Sequence, residues 1–262
     1  MDPLFEKTGT PYQYTYQNPI RYTDPTGMVA SPPSTEVTAN SDGTYTVVGG
    51  NANDGDNGIY VVDDKGKRTG ETIGVSLTSH SFFFDDNSPV VGAVINPIDG
   101  RGADFLNNEI INNKDLTLDS YMKNATGGKL YDFKRRDDNG NLFSNTDPEY
   151  SSVQYHYRGM LFSGVDGFTQ GADCGTTTYA SARDFGNVAA GYVAGRRGMP
   201  WRLARLGFDG LQTIQDDNWK RGWASEAAPT QKAERVGHTA GIREFKEKQV
   251  QPAIKSFPSF RY

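Results

Sequence analysis

Cysteine is almost absent from this chain: Cys174 is the single copy among 262 residues. One thiol excludes an internal disulfide and anchors no Cys-x-x-Cys site, so stability must come from a buried core, which a chain this long is able to form. Histidine is scarce too, with only His80, His156 and His238 and no His-x-x-x-His spacing. No metal centre and no cofactor is read from such a set. Long apolar runs are missing, since none approaches the roughly 18 residues of a membrane-crossing helix. The opening MDPLFEKTGT lacks the basic start and apolar stretch of a secretory leader, so export, if it occurs, is expected to depend on another carrier. The Gly-rich stretches do not end in Gly-Lys-Ser/Thr, which excludes a phosphate loop.

What the chain does have is glycine, 30 residues, and a modest hydrophobic share of 35%, a composition that points to a loop-rich globular protein. The net charge of −5 hides a division: residues 183–262 hold 14 Lys and Arg against 8 Asp and Glu, so the last third is basic and the rest acidic. Such asymmetry suggests that the basic part meets a polyanion, or else that C-terminal helices simply carry solvated cations.

Local patterns predict an α+β protein, with a small antiparallel β region in the N-terminal half and helices after it. Residues 1–28 read as extended segments and turns, and 29–43, VASPPSTEVTANSDG, as a linker. Within 44–100, TYTVVG, GIYVVD and TIGVSLTSHSFFF are β-branched and aromatic runs parted by turn clusters, which predicts a meander. Residues 101–262 read as mostly helical: GADFLNNEIINN, TLDSYMKNA, then helices over 178–195, 200–216 and 230–248, with Pro200 and Pro229 suited to helix starts.

One early motif is dense in turn chemistry. Pro19-x-x-x-x-Asp24-Pro25-x-Gly27-Met28, together with the preceding DPLFEKTG and YQYTY, resembles the end of the core of RHS, or YD-repeat, proteins, β-cocoon shells that carry a variable toxin at the C-terminus. The family motif is P-x-x-x-x-D-P-x-G-L, and only the final Leu differs here, replaced by a Met of similar volume. The resemblance implies an aspartyl self-cleavage site that uses Asp24 and cuts between Met28 and Val29. The partner carboxylate for such chemistry would lie upstream in the shell.

Two later stretches, KLYDFK (129–134) and RDFGNVAAGYVAG (183–195), resemble the polymorphic toxin type 44 family over about residues 129–245. That resemblance implies a mostly helical domain acting as a metal-independent RNase, released from its shell and delivered into a rival bacterium by a contractile, type VI-like system. Its partners would be the shell itself and a cognate immunity protein, with RNA as substrate. RNA cleavage through the 2′-hydroxyl needs a base, an acid and donors for the phosphorane charge. The residue types present for these tasks are Asp184, His156, His238, Glu226 and Asp132 as proton carriers, with Lys134, Arg158, Arg183 and Asn187 as cations or donors.

Each candidate has a plainer alternative. Asp184 equally suits the first turn of a helix, where a carboxylate satisfies backbone donors. Asn187 lies one helical turn away from it. Asp132 and Lys134 would share one face of a strand, with Tyr131 and Phe133 on the other, where a simple surface ion pair is the plainer reading. Glu226 suits a helix cap, His238 a satisfied core position, and His156 an alternating strand. Gly186, Gly191 and Gly195 in one helix ask for a reason, either close helix packing or close approach of a substrate, because each costs roughly 1 kcal/mol there. A rival reading is a peptidoglycan hydrolase of lysozyme type, with Glu226 or Asp184 as general acid. A third is a non-enzymatic adaptor or shell fragment that works through the β region.

Overall fold

The structure is a computed structural model and describes residues 34–84, 87–125, 128–136, 141–142, 157–162, 177–215 and 226–255. Asp24, Met28, Val29, His156 and Cys174 lie outside the described residues. The fold is α+β. Its sheet holds β1 (Ser34–Ala39), β2 (Tyr45–Asn51), β3 (Gly58–Val62), β4 (Arg68–Ser76), β5 (Val94–Ile95), β6 (Arg158–Phe162) and β7 (Thr178–Ser181). The strand order is β5-β2-β1-β3-β4-β7-β6, curled most of the way to a barrel.

Several expectations are corrected by this order. The segment expected as a linker contains β1, which lies between β2 and β3, antiparallel to the first and parallel to the second. Thr35 and Val37 alternate into the core and are fully buried, a strand signal masked by the surrounding Ser, Thr and Pro. The β region is therefore no simple meander. Nor does the sheet end at residue 100, since β7 pairs parallel to β4 and antiparallel to β6. Residues 178–181, expected as the start of a helix, form this strand.

The helices are α1 (Arg101–Asp104), continued by π-helical turns over Phe105–Ile111, then α2 (Leu118–Asn124), α3 (Ala182–Arg196), α4 (Trp201–Gln215) and α5 (Ala228–Lys255). Short 3-10 turns stand at Ser79–Ser81 and Phe133–Arg135. Successive β7 residues reach opposite faces, as strand geometry requires: Tyr179 joins the core inside the sheet with Val37, Val47 and Phe82, while Ala180 joins the core under the helices with Phe185 and Val188.

Helices α3 and α5 approach too closely for side chains at their crossing. A Cβ on Gly191 would stand 1.8 Å from the Glu234 carbonyl oxygen, and one on Gly237 would stand 1.9 Å from that of Val188. Close packing thus accounts for Gly191. A Cβ on Gly186 would meet nothing within 4 Å, so packing does not explain that glycine.

Several of the C-terminal cations are engaged inside the fold. Arg196 donates to the carbonyls of Ile110 (2.8 Å), Asn113 (2.8 Å) and Leu116 (2.8 Å), closing the end of the π-helical segment, and Arg197 also donates to Leu116. Arg205 is held by three carboxylates. These arginines are structural clamps, so the basic count of the last third overstates the charge it offers to a polyanion.

Candidate functional site

A cleft of about 690 Å³ opens between the 128–136 segment, α2, the start of α3, α4 and the start of α5. Its walls carry Asp132, Lys134, Arg183, Asn187, Glu226 and Glu234. Both stretches singled out in the sequence therefore reach one cavity. Arg183 and Asn187 are four residues apart on α3 and share a face. Gly186 and Ala190 beside them add almost no bulk, and the Tyr121 hydroxyl of α2 donates to the Gly186 carbonyl at 3.2 Å.

The aromatic residues of KLYDFK anchor that wall. Phe133 stacks on Phe105 with centroids 4.7 Å apart and meets Tyr157 and Phe185 at 5.4 and 5.6 Å. Tyr131 stacks on Tyr121. The segment is a 3-10 turn and not the expected strand, because Asp132 accepts from Gly128 N at 2.9 Å and pairs with Arg135 at 3.5 Å, which curls the backbone. Asp132 is thereby committed to holding the turn, whereas Lys134 is half-buried on the cleft wall.

Asp184 points the other way. Fully buried, it accepts from Thr78 Oγ1 at 2.6 Å, from Ser81 Oγ at 3.0 Å and from Ser181 N and Oγ at 3.1 and 3.0 Å. It forms a reciprocal capping box with Ser181 at the start of α3 and ties that helix to the turn after β4. This is the helix-start alternative for Asp184, and the carboxylate has no surface on the cleft. His238 is likewise a core residue: its Nε2 is bonded to the Met199 carbonyl at 2.7 Å, and its ring meets Trp201 edge-on at 5.2 Å. Burial lowers its basicity. Neither residue lines the cavity.

Glu226 does, although not as a helix cap. Its Oε2 accepts from Arg205 Nη1 at 2.7 Å, and the same Nη1 donates to Glu234 Oε2 at 2.6 Å. Arg205 Nη2 meets Asp209 on the next turn of α4, and Asp209 Oδ1 accepts from Glu226 N at 2.9 Å. One guanidinium cannot neutralise three carboxylates. Burial pushes the Glu234 carboxyl well above the ordinary glutamate range, and the Glu226 carboxylate within hydrogen-bond reach pushes it further the same way. The site thus holds a carboxyl that keeps its proton well above the ordinary glutamate range, beside a second carboxyl bonded to the same guanidinium nitrogen.

Glu234 was missed by sequence reasoning because a Glu inside a helix rich in charged residues reads as solvated. A signal was present, however: Glu234, Gly237 and Gly241 recur at spacings of three and four on the stripe that faces α3. Asn187 supplies one further feature, since its Nδ2 is buried and has no hydrogen-bond partner. Among the described residues no group of His, Cys, Asp and Glu is arranged to hold a metal ion, and no helix is long and apolar enough to cross a membrane. No family model, no curated protein and no solved structure matches the chain.

Proposed function

We propose that this chain is the C-terminal end of an RHS shell joined to its cargo, and that the cargo is a hydrolytic toxin that cleaves RNA in this cleft without a metal. The Pro19-to-Gly27 motif supports the shell assignment. The observation that carries the chemistry is that one Arg205 nitrogen bonds both Glu226 and Glu234, the latter holding its proton well above the ordinary glutamate range, in a cavity also lined by Lys134 and Arg183. Glu226 takes the proton of the 2′-hydroxyl as its oxygen bonds to phosphorus. Glu234 gives its proton to the 5′-oxygen as the phosphorus–oxygen bond breaks, leaving a cyclic phosphate. The proton then passes from Glu226 to Glu234, which restores the starting state. Lys134 and Arg183 offset the phosphorane charge, and Asn187 contributes its unpaired amide donor to an oxygen of the same group. On this reading the protein reaches a rival cell through a contractile, type VI-like system and is neutralised at home by an immunity protein.

The peptidoglycan alternative also draws on a neutral glutamic acid in an apolar cavity. Glycoside hydrolases, however, hold their two carboxyls about 5–5.5 Å apart when retaining and about 6.5–9.5 Å apart when inverting. Here both carboxyls accept from one Arg205 nitrogen, at 2.7 and 2.6 Å, so their bonded oxygens stand closer than the inverting range. Incubating the full chain with total RNA and with purified sacculi separates the readings. We expect RNA to be shortened, and Glu234→Gln and Lys134→Ala each to lower the rate by about 10²–10⁴-fold without unfolding the protein. Shortened sacculi with intact RNA would move the assignment to the cell wall, and no effect on either polymer would favour a non-enzymatic adaptor.

A further inference from the structure

A buried pair of carboxyls is held together only if something prevents them from turning apart. Glu226 lies just ahead of α5, and Glu234 lies two turns inside it. Glu226 stands outside α5, so the helix itself does not fix it against Glu234. Helix α4 holds it from two directions. Arg205 Nη1 bonds one oxygen of each glutamate, and Asp209, while gripping the other end of Arg205, also accepts the backbone N–H of Glu226. All four residues are nearly shielded from water, with side-chain exposures of 11% for Arg205, 14% for Asp209, 13% for Glu226 and 3% for Glu234.

We propose that Arg205 and Asp209 form a positioning clamp that fixes Glu226 against Glu234 at the cleft wall and so governs how Glu234 acts as the acid of the site. The inference rests on the reading of this cleft as an acid–base site. Neither clamp residue is assigned contact with substrate, so both act through the glutamates. Asp209 has a double task that a simple surface ion pair would not have: it sets the direction of the guanidinium and anchors the backbone that delivers Glu226. The groups facing Glu234 are Glu226, Arg205 with Asp209 behind it, and the Tyr121 phenol of α2, which is held neutral by burial.

The clamp gives opposite signs for its two members, which a merely structural role would not. Asp209→Asn removes one negative charge and weakens the backbone anchor, so Glu226 turns away and Glu234 becomes easier to ionise. Arg205→Met removes the cation between the carboxyls, so Glu234 becomes harder to ionise. The full chain labelled with ¹³C-glutamate allows the Glu234 carboxyl to be titrated by NMR, its resonance being identified by its loss in Glu234→Gln. We expect the midpoint to fall in Asp209→Asn and to rise in Arg205→Met, each by enough to change the protonated fraction at least threefold, about half a pH unit. The alkaline limb of the pH–rate profile for RNA cleavage should move with the midpoint. Unchanged midpoints, or both variants moving in the same direction, would overturn the clamp. Should Arg205→Met fail to fold, Asp209→Asn decides alone, since it retains the Arg205 bonds to both glutamates. The titration needs no substrate, so midpoints that move as expected beside uncleaved RNA would sink the RNA reading and leave the clamp standing.

Discussion

Glu234 is 2% exposed as a residue, and its carboxyl stays protonated above the ordinary glutamate range because burial and Glu226 both penalise its charge. The folded state therefore binds a proton that the unfolded chain has released once the pH exceeds about 4.5, the ordinary glutamate value. Stability should fall as pH rises from that point to the folded-state value, and be flat beyond it, with a slope of at most about 1.4 kcal/mol per pH unit. Glu234→Gln has no proton to lose and keeps the shape of the neutral acid. We expect its melting temperature to match wild type near pH 4.5 and to exceed it increasingly towards pH 8. A difference that does not vary with pH would mean that Glu234 is ionised in the native protein. His238 contributes the opposite slope. Its lowered basicity means that stability is lost as the pH falls below about 6.5, so the two titrations are told apart by direction.

The glycines of α3 differ in what surrounds them, and the difference is measurable. Gly191→Ala drives a methyl group into the Glu234 backbone, and a helix carbonyl cannot move aside as a flexible side chain can. A loss of about 1–3 kcal/mol or more is expected, read as a lower melting temperature. Gly186→Ala enters open space on the same helix and should stabilise it by up to roughly 1 kcal/mol. Equal destabilisation by both would refute the packing account. The helices were legible in the sequence from runs of helix-forming residues and from Pro200 and Pro229 near helix starts, and β2, β3 and β4 were legible from β-branched runs. The elements that escaped notice are those whose neighbours are remote in sequence. β1 hides among Ser and Thr, and is a strand because β2 and β3 flank it. Thr178–Ser181 is buried at all four positions and shows no alternation. In the cleft, Lys134 and Asn187 were legible through short motifs and Glu226 only as a residue type able to carry a proton, whereas the pairing of Glu226 with Glu234 depends on an arginine from another helix, which no spacing reveals.

At the scale of the whole molecule, the sheet joins what the sequence divides. β7 arrives from beyond α2 to pair with β4, and the Asp184 capping box takes two of its donors, Thr78 and Ser81, from the turn after β4. The β-rich half thus supports the helix that forms one wall of the cleft. The expected scissile bond, Met28–Val29, lies five residues before β1, a strand flanked on both sides. A chain beginning at Val29 keeps every strand of the sheet, and its melting temperature should lie within a few degrees of the full chain. A chain beginning at Arg101 loses five strands, strips β7 of its β4 partner and leaves the buried Asp184 carboxylate without two hydroxyl donors. Leaving a buried acceptor short of its donors costs about 1–3 kcal/mol, and the apolar core of the lost strands goes with it, a large part of the roughly 5–15 kcal/mol that holds a domain together. We therefore expect the Arg101 chain to show no cooperative unfolding by calorimetry. A sharp transition from that fragment would show that the helical part is a domain in its own right and that the sheet is an addition to it.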